Sequence, residues 1–302
     1  MDGRVGVQDG HVLCPICAAF SSQLAPGPGG RPLASCPNCG SLERHRFLYL
    51  LLQSFRRQAL LGDAVCDVAP SSQLSPLIQS LRPNAYISID YDPAADGRLV
   101  KAAASLTQLP LKDASVGLLV CLDVLEHIPD DHEAMSEIRR VLVPGGIALL
   151  QVPWRDGPTD EDPNASEADR LRRFGQRDHV RYYGEDFIER LRVASLAVSV
   201  VTPGALLGLE TCGALGLLPS EQIWVCSPPN ESDDSLGAHS SYLAAPLADL
   251  ITRATFLWKP PSSSSTGPRY LAANQIRRRA WIPKPLRRPL RRAYKSLLAI
   301  RS

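Results

Sequence analysis

The 302-residue sequence predicts an α/β fold, a doubly wound and mostly parallel sheet preceded by a small four-cysteine module. Three observations point to it. Between residues 41 and 228, short apolar runs alternate with stretches of three- and four-residue apolar periodicity, the mark of strands and helices taken in turn. Two of the apolar runs end in acids, Asp67 and Asp90, and open α/β sheets bind ligands beyond the carboxyl ends of their strands. Ahead of them, Cys14-Pro15-Ile16-Cys17 and Cys36-Pro37-Asn38-Cys39 are separated by eighteen residues, a spacing that fits a tetrahedral zinc ribbon.

Residues 1–41 are read as that ribbon, with Cys14, Cys17, Cys36 and Cys39 as ligands. Each pair makes a tight turn whose thiolates converge on one metal, and Gly40 permits a positive φ after the second. The run Pro26-Gly27-Pro28-Gly29-Gly30 between the pairs is a loop that cannot pack a core. Metal binding therefore supplies the folding energy, at a closed structural site. A redox dithiol would need only one pair. Cys66, Cys121, Cys212 and Cys226 lie in apolar runs and read as core.

Residues 41–61 read as a helix, 64–68 as a buried strand and 71–81 as a short helix capped by Ser71 or Ser72. Residues 85–90 and 116–122 read as strands. A helix over 130–143 opens with Asp130 and Glu133 at capping-box spacing and stops at Pro144-Gly145-Gly146. Then follow a strand at 147–152, a helix at 184–195 and late strands at 196–201 and 222–226. Nothing here reads Gly-x-Gly-x-x-Gly, so no loop cradles a pyrophosphate, and a phosphate-free nucleoside cofactor fits better than a dinucleotide. Asp90 suits a bidentate clasp on two ribose hydroxyls. Asp67 equally suits a helix cap.

Composition bounds the rest. The chain is 44% hydrophobic and 21% charged, ordinary for a globular protein and unlike a disordered or multi-span membrane chain. Residues 1–10 lack an apolar leader core, and the apolar run 193–209 is too polar to span a membrane. Eight cysteines without a leader suggest a reduced, cytoplasmic setting. The net charge is +2, but residues 268–302 hold 11 Lys/Arg and no acid, which leaves 22 Lys/Arg against 31 Asp/Glu elsewhere. Residues 229–267, with Pro260-Pro261 and four serines, read as a flexible linker. The basic tail fits peripheral contact with an anionic membrane surface, contact with nucleic-acid phosphates, or self-docking on the acidic body.

Asp123-Val124-Leu125-Glu126-His127-Ile128-Pro129, followed by Arg139-Arg140-Val141-Leu142-Val143-Pro144-Gly145-Gly146, resembles class I S-adenosylmethionine-dependent methyltransferases of the methyltransferase type 11 kind. Leu109-Pro110-Leu111-Lys112-Asp113-Ala114-Ser115 is similar to the run ahead of their fourth strand. CPNCGSLERHR at 36–46 and FGQRDHVRY at 174–182 resemble a subgroup with a zinc ribbon before that core. The resemblance covers roughly residues 12–228 and implies a Rossmann-like, seven-stranded methyltransferase sheet over 42–228, with an insert at 154–183. It also implies that Asp67, Ala69 and Pro70 form the first cofactor motif, Asp90 is the ribose acid, Ser105 and Leu106 form the adenine-contacting turn, and Cys121 to Asp123 line the pocket below the methionine moiety. The usual Gly-x-Gly loop reads Val68-Ala69-Pro70-Ser71 here, and Ser105 stands where an acid is usual.

His127 and His179 are the catalytic candidates: Glu126-His127 could be catalytic, with His127 suiting a general base, or could have a backbone-bonded structural role. His179, Arg181 and Tyr182 belong to the insert, where such folds place substrate-contacting elements. Arg181 could clasp a carboxylate or phosphate, or His179 and Arg181 could tie the insert to Asp178 or Glu185. Residues 154–177 read as a mobile lid. Three functions follow: methyl transfer from S-adenosylmethionine to an O or N nucleophile of a small-molecule or glycan-type acceptor; RNA methylation with the ribbon as recognition module; or a catalytically degenerate zinc-ribbon binding protein.

Overall fold

A computed structural model describes residues 12–55, 64–80, 83–94 and 100–229. The expected basic tail, and the linker beyond residue 229, lie outside these residues. The chain divides into two compact units: one gathers the N-terminal residues to Phe55 with Thr202–Glu221, and the other gathers the stretch to Val201 with the strand after Gln222. The first unit thus reaches past the expected ribbon boundary at residue 41.

In the first unit, β1 (Val12–Leu13) and β2 (Phe20–Ser21) pair antiparallel and lead to α1 (Glu43–Phe55). Phe47, Leu48 and Leu51 are completely buried. Polar residues shape the helix start. Glu43 pairs with Arg31 at 3.1 Å, and Leu42 N–H donates to His45 Nδ1 at 3.3 Å. Burial pushes the His45 imidazole down to about 3, which keeps it a neutral acceptor.

The second unit holds β3 (Ala64–Val68), α2 (Ser75–Ser80), β4 (Ala85–Asp90), β5 (Ala102–Ala103), β6 (Val116–Leu122), α3 (Asp131–Val141) and β7 (Leu142–Gln151). The insert contributes β8 (Asp160–Glu161), α4 (Glu167–Phe174) and β9 (Arg181–Tyr182). Then come α5 (Phe187–Val193), β10 (Ala197–Val201) and β11 (Ile223–Ser227). Between the last two strands the chain returns to the first unit as α6 (Pro203–Leu207) and α7 (Leu209–Leu215).

The sheet has seven strands in the order β10-β11-β7-β6-β3-β4-β5. β7, β6, β3, β4 and β5 run parallel, and β10 and β11 run antiparallel at one edge. The chain winds outward from β3 to β5 and then returns to β6 on the other side of β3. The switch point, where a doubly wound sheet opens a crevice, therefore lies between the ends of β3 and β6. Val65, Cys66, Val116, Leu118, Leu119, Ala148, Leu149 and Leu150 are buried to within 1% or less, which explains why these strands read as continuous apolar runs.

Several helices are shorter than the sequence suggested, each for a local reason. Pro76 sits in the first turn of α2, where its missing N–H costs no helical bond, and a turn capped by the Ser71 hydroxyl, which accepts from Leu74 N–H at 3.1 Å, occupies residues 71–74 before it. A Cβ on Gly184 would lie 2.1 Å from the Gly157 carbonyl oxygen, so this residue meets the backbone of 157–159 and α5 starts later. Asp130 caps α3 as expected, accepting from Glu133 N–H at 3.1 Å. Pro144-Gly145-Gly146 does not stop that helix directly. It bulges out of β7, whose register against β6 jumps from Val116–Leu142 to Leu118–Ile147. Among the described residues, no helix is long and apolar enough to cross a membrane.

Candidate functional site

The four expected metal ligands come together. Cys14 and Cys39 sulfurs are 3.7 Å apart, as are those of Cys17 and Cys36, and all four lie within 4.8 Å of one another. A tetrahedron with zinc–sulfur bonds of about 2.3 Å has edges of about 3.8 Å, so the cluster has the size of a zinc site. The two turns share one geometry. Ala18 N–H donates to the Cys14 carbonyl and Gly40 N–H to that of Cys36, both at 2.9 Å, and the donors hold φ at +57° and +70°. Gly40 thus does what its position predicts, while Ala18 adopts the same conformation with a Cβ. Crowding splits the thiols: the hydrogen bond with Cys17, together with burial, raises the pKa of Cys14, and the same bond brings Cys17 down to about 4. The Ser41 hydroxyl lies 3.2 Å from Cys39 Sγ and 3.4 Å from Cys14 Sγ.

Arg46 was not singled out from the sequence, yet it locks this centre. Its fully buried guanidinium donates to the carbonyls of Ser41, Ala34 and Gly216. Burial lowers its pKa, while the Cys14 and Glu43 charges act the other way. The available signal was its place ten residues after Cys36 on a helix that is otherwise apolar inward.

At the sheet edge, the residues assigned to the first cofactor motif, the ribose acid and the adenine turn follow β3, β4 and β5, and Asp123 follows β6. All are at the carboxyl ends of neighbouring parallel strands. Ala69 holds φ at +49°, and its N–H donates to the Ile89 carbonyl at 2.8 Å. The loop thus takes a glycine-type conformation without glycine. Pro70 is buried behind it. Asp90 is 8% exposed, and its Oδ1 accepts from Asp92 N–H at 3.0 Å. Asp123 also stands at positive φ, +53°, with its N–H on the Gln151 carbonyl.

Asp67 is tied inward. One carboxylate oxygen accepts from Ser75 Oγ at 2.7 Å and Tyr86 OH at 2.6 Å. Burial raises its pKa against the pull of these two bonds. It therefore joins β3 to α2 and β4. Ser105 Oγ lies 2.7 Å from Thr107 Oγ1 and accepts Thr107 N–H, and the Leu106 side chain belongs to the core. The turn expected to meet an adenine is formed, with the Leu106 side chain facing inward.

The insert is a built element. Its hairpin and α4 are held by Arg173 to Asp160 and Asp162, and by Arg190 to Glu161. The stretch 154–177, read as a lid, thus carries regular elements of its own. Arg181 is 1% exposed. It donates to Glu161 at 3.1 Å and to the carbonyls of Leu125, Ile128 and Pro129. The clasp on an acceptor carboxylate or phosphate is corrected too: this guanidinium latches the insert onto the turn after β6. Tyr182 faces the other way on the two-residue strand, under the Arg155 guanidinium at 4.9 Å. Tyr183 and Asp131, neither singled out beforehand, are buried alongside, as is Glu126. Tyr183 OH donates to Asp131 at 2.7 Å.

His127 and His179 meet edge to face, with ring centroids 4.6 Å apart. His127 Nδ1 is 3.1 Å from the Asp178 carboxylate, a contact expected of His179 or Arg181 instead. His179 is 2% exposed, its Nδ1 lies 3.1 Å from the Phe174 carbonyl, and burial and the neighbouring His127 lower its pKa.

The doubly wound sheet thus brings strand-end acids and a tight, glycine-type turn together at its switch point, where such α/β sheets open a ligand crevice. Residues 67–150 match the family described as methyltransferase domain. It is 40% identical over 76 residues to a Mycolicibacterium smegmatis protein named "probable S-adenosylmethionine-dependent methyltransferase", covering 23% of this chain and 30% of that one. It is 32% identical over 106 residues to an "uncharacterized methyltransferase" of Mycobacterium sp. strain JLS, covering 32% and 41%. The chain thus spans less than half the length of these relatives. The solved YcgJ protein of Bacillus subtilis aligns at 17% identity and TM-score 0.38, over 60% of this chain and 99% of that one.

Proposed function

We propose that this protein transfers a methyl group from S-adenosylmethionine to an oxygen or nitrogen of a small-molecule or glycan-type acceptor, with zinc held by Cys14, Cys17, Cys36 and Cys39 as a structural staple. The observation that carries the reading is the placement of Asp90 and the left-handed Ala69 on adjoining strand ends beside the switch point, within the segment that matches the methyltransferase domain. When bound, S-adenosylmethionine supplies an electrophilic methyl group on a sulfonium. The chain's own residues need chiefly to hold the nucleophile in line and exclude water. Asp90 takes the ribose hydroxyls, the 68–71 loop lets backbone approach closely, and Asp123 marks the edge where the acceptor enters. His127, paired with Asp178, is placed to take a proton from an acceptor hydroxyl.

Calorimetry of the full chain with S-adenosylmethionine tests the cofactor. Asp90→Asn should weaken binding about tenfold or more, since hydrogen bonds to a charged group contribute about 1.5–3 kcal/mol. Absence of binding to the wild type, or equal binding by the variant, overturns the assignment. Radiolabelled methyl groups offered with glycan, small-molecule and RNA fractions test the acceptor, and label in the RNA fraction would replace the acceptor class.

A further inference from the structure

Directly after β6, the turn Leu125–His127 and the segment before β9 bring together Glu126, His127 and His179, whose ligand atoms lie within 4.8 Å of one another. We infer that these three side chains form a binding site for a divalent first-row transition cation. The inference does not depend on the methyl-transfer reading, and an ion on His127 Nε2 would replace the base role proposed for that residue.

Four features carry it. The donor set is two imidazoles and one carboxylate, a combination that holds such cations while leaving positions open. His179 Nε2 is buried without a hydrogen-bond partner, 3.9 Å from Glu126 Oε1, too far for a hydrogen bond and short enough for one ion to bridge with bonds of about 2.0–2.2 Å. Each imidazole has its Nδ1 on an acceptor, the Phe174 carbonyl for His179 and the Asp178 carboxylate for His127. That arrangement leaves Nε2 of each ring as the nitrogen available to an ion, as outer partners do for metal-bound histidines. The backbone is pre-positioned: Val180 N–H donates to the Glu126 carbonyl at 2.9 Å, and Arg181 grips Leu125 and Pro129 on either side.

The cluster differs from the cysteine site in kind. It has no sulfur, and His127 keeps 31% of its side chain exposed, which gives an ion a way in. Three protein ligands leave room for water or an acceptor oxygen, whose proton the cation would make easier to lose.

The test uses the untagged full chain with zinc in the cysteine site, titrated with Co²⁺ and followed by absorption. The expected result is one further equivalent of cobalt with weak d–d bands and no thiolate charge-transfer band. His127→Gln, partly exposed and so tolerant of change, should weaken that equivalent at least tenfold. Asp178→Asn should weaken it about 10–100-fold. His179→Gln should abolish it, with the circular dichroism of the wild type as the control for folding. If the wild type shows only thiolate-bound cobalt, the three side chains form a hydrated polar cluster and the inference is overturned. Wild-type affinity in His127→Gln overturns it equally. S-adenosylmethionine binding, measured separately, reports on the other reading.

Discussion

Ala69 shows what a single residue contributes at the cofactor loop. A non-glycine residue in the left-handed region costs roughly 1–2 kcal/mol, and here the cost is held by the Ala69 N–H bond to Ile89. Ala69→Gly removes that strain but adds about 0.4–1 kcal/mol of chain entropy to the unfolded state. The urea midpoint should therefore stay level or rise by the equivalent of about 1.6 kcal/mol at most. Ala69→Val should lower it by at least about 1 kcal/mol, because a branched Cβ tolerates this conformation less well. Arg181 makes the opposite point. Arg181→Met should cost about 3–5 kcal/mol, since it leaves the buried acceptors around it without their donor, and denaturant unfolding checks it. The strand-end acids were legible because a strand's end shows in the apolar pattern itself. The role of Arg181 was not, because its partners are carbonyls some fifty positions earlier, and sequence spacing cannot say which face of a two-residue strand turns inward.

At the scale of elements, β3, β4 and β6 have the bounds their runs indicate, and in β3 and β6, buried almost throughout, the apolar character is nearly continuous. Helix ends moved where the competing interaction was tertiary: Gly184 against the 157–159 backbone, and the bulge at 143–146 in β7. The clasp between two motifs was also invisible. Arg140 on α3 donates to the carbonyls of Leu111 and Leu109 and to Asp113, and Glu137 accepts from Leu109 N–H. The runs around 109–115 and 139–146 are thus one structural unit. The insert yields a pH prediction. Arg173 lowers the pKa of Asp160, and Arg190 lowers that of Glu161, below their ordinary values of 3.8 and 4.5. A lowered folded pKa means that the unfolded chain binds more protons. The stabilisation is fully present above about pH 4.5 and drains away as pH falls through the folded values. Hydrogen exchange at 160–162 and 167–174, corrected for intrinsic rates, should show protection constant from pH 7 to 5 and falling below about 4.5. Molar salt at pH 7 should loosen the same amides by screening the exposed pairs.

At the scale of the whole molecule, the first unit is assembled from segments far apart in the chain, and its joints are polar. Arg46 on α1 reaches the carbonyls of Ala34 and Ser41 in the ribbon and that of Gly216, the cap of α7, 170 positions away. A Cβ on Gly216 would sit 2.8 Å from Val12 and 2.9 Å from Leu24, so α7 ends in close contact with the ribbon. Yet the ribbon's own buried apolar side chains are few, chiefly Leu24 and Ala34. A module with so small a core depends on its metal for folding. Removing the ion should therefore do more than loosen residues 12–41. It should release the acceptors of Arg46 and carry the disorder into α7. Cys36→Ser with Cys39→Ser, or strong chelation of the wild type, should lose metal and raise hydrogen exchange at 14–41 and 209–215 together. Protection in β3, β6 and β7, whose hydrogen bonds lie within the other unit, should fall far less. If α7 kept its protection while the ribbon lost its own, the Arg46 joint would be incidental, and the first unit would be two modules.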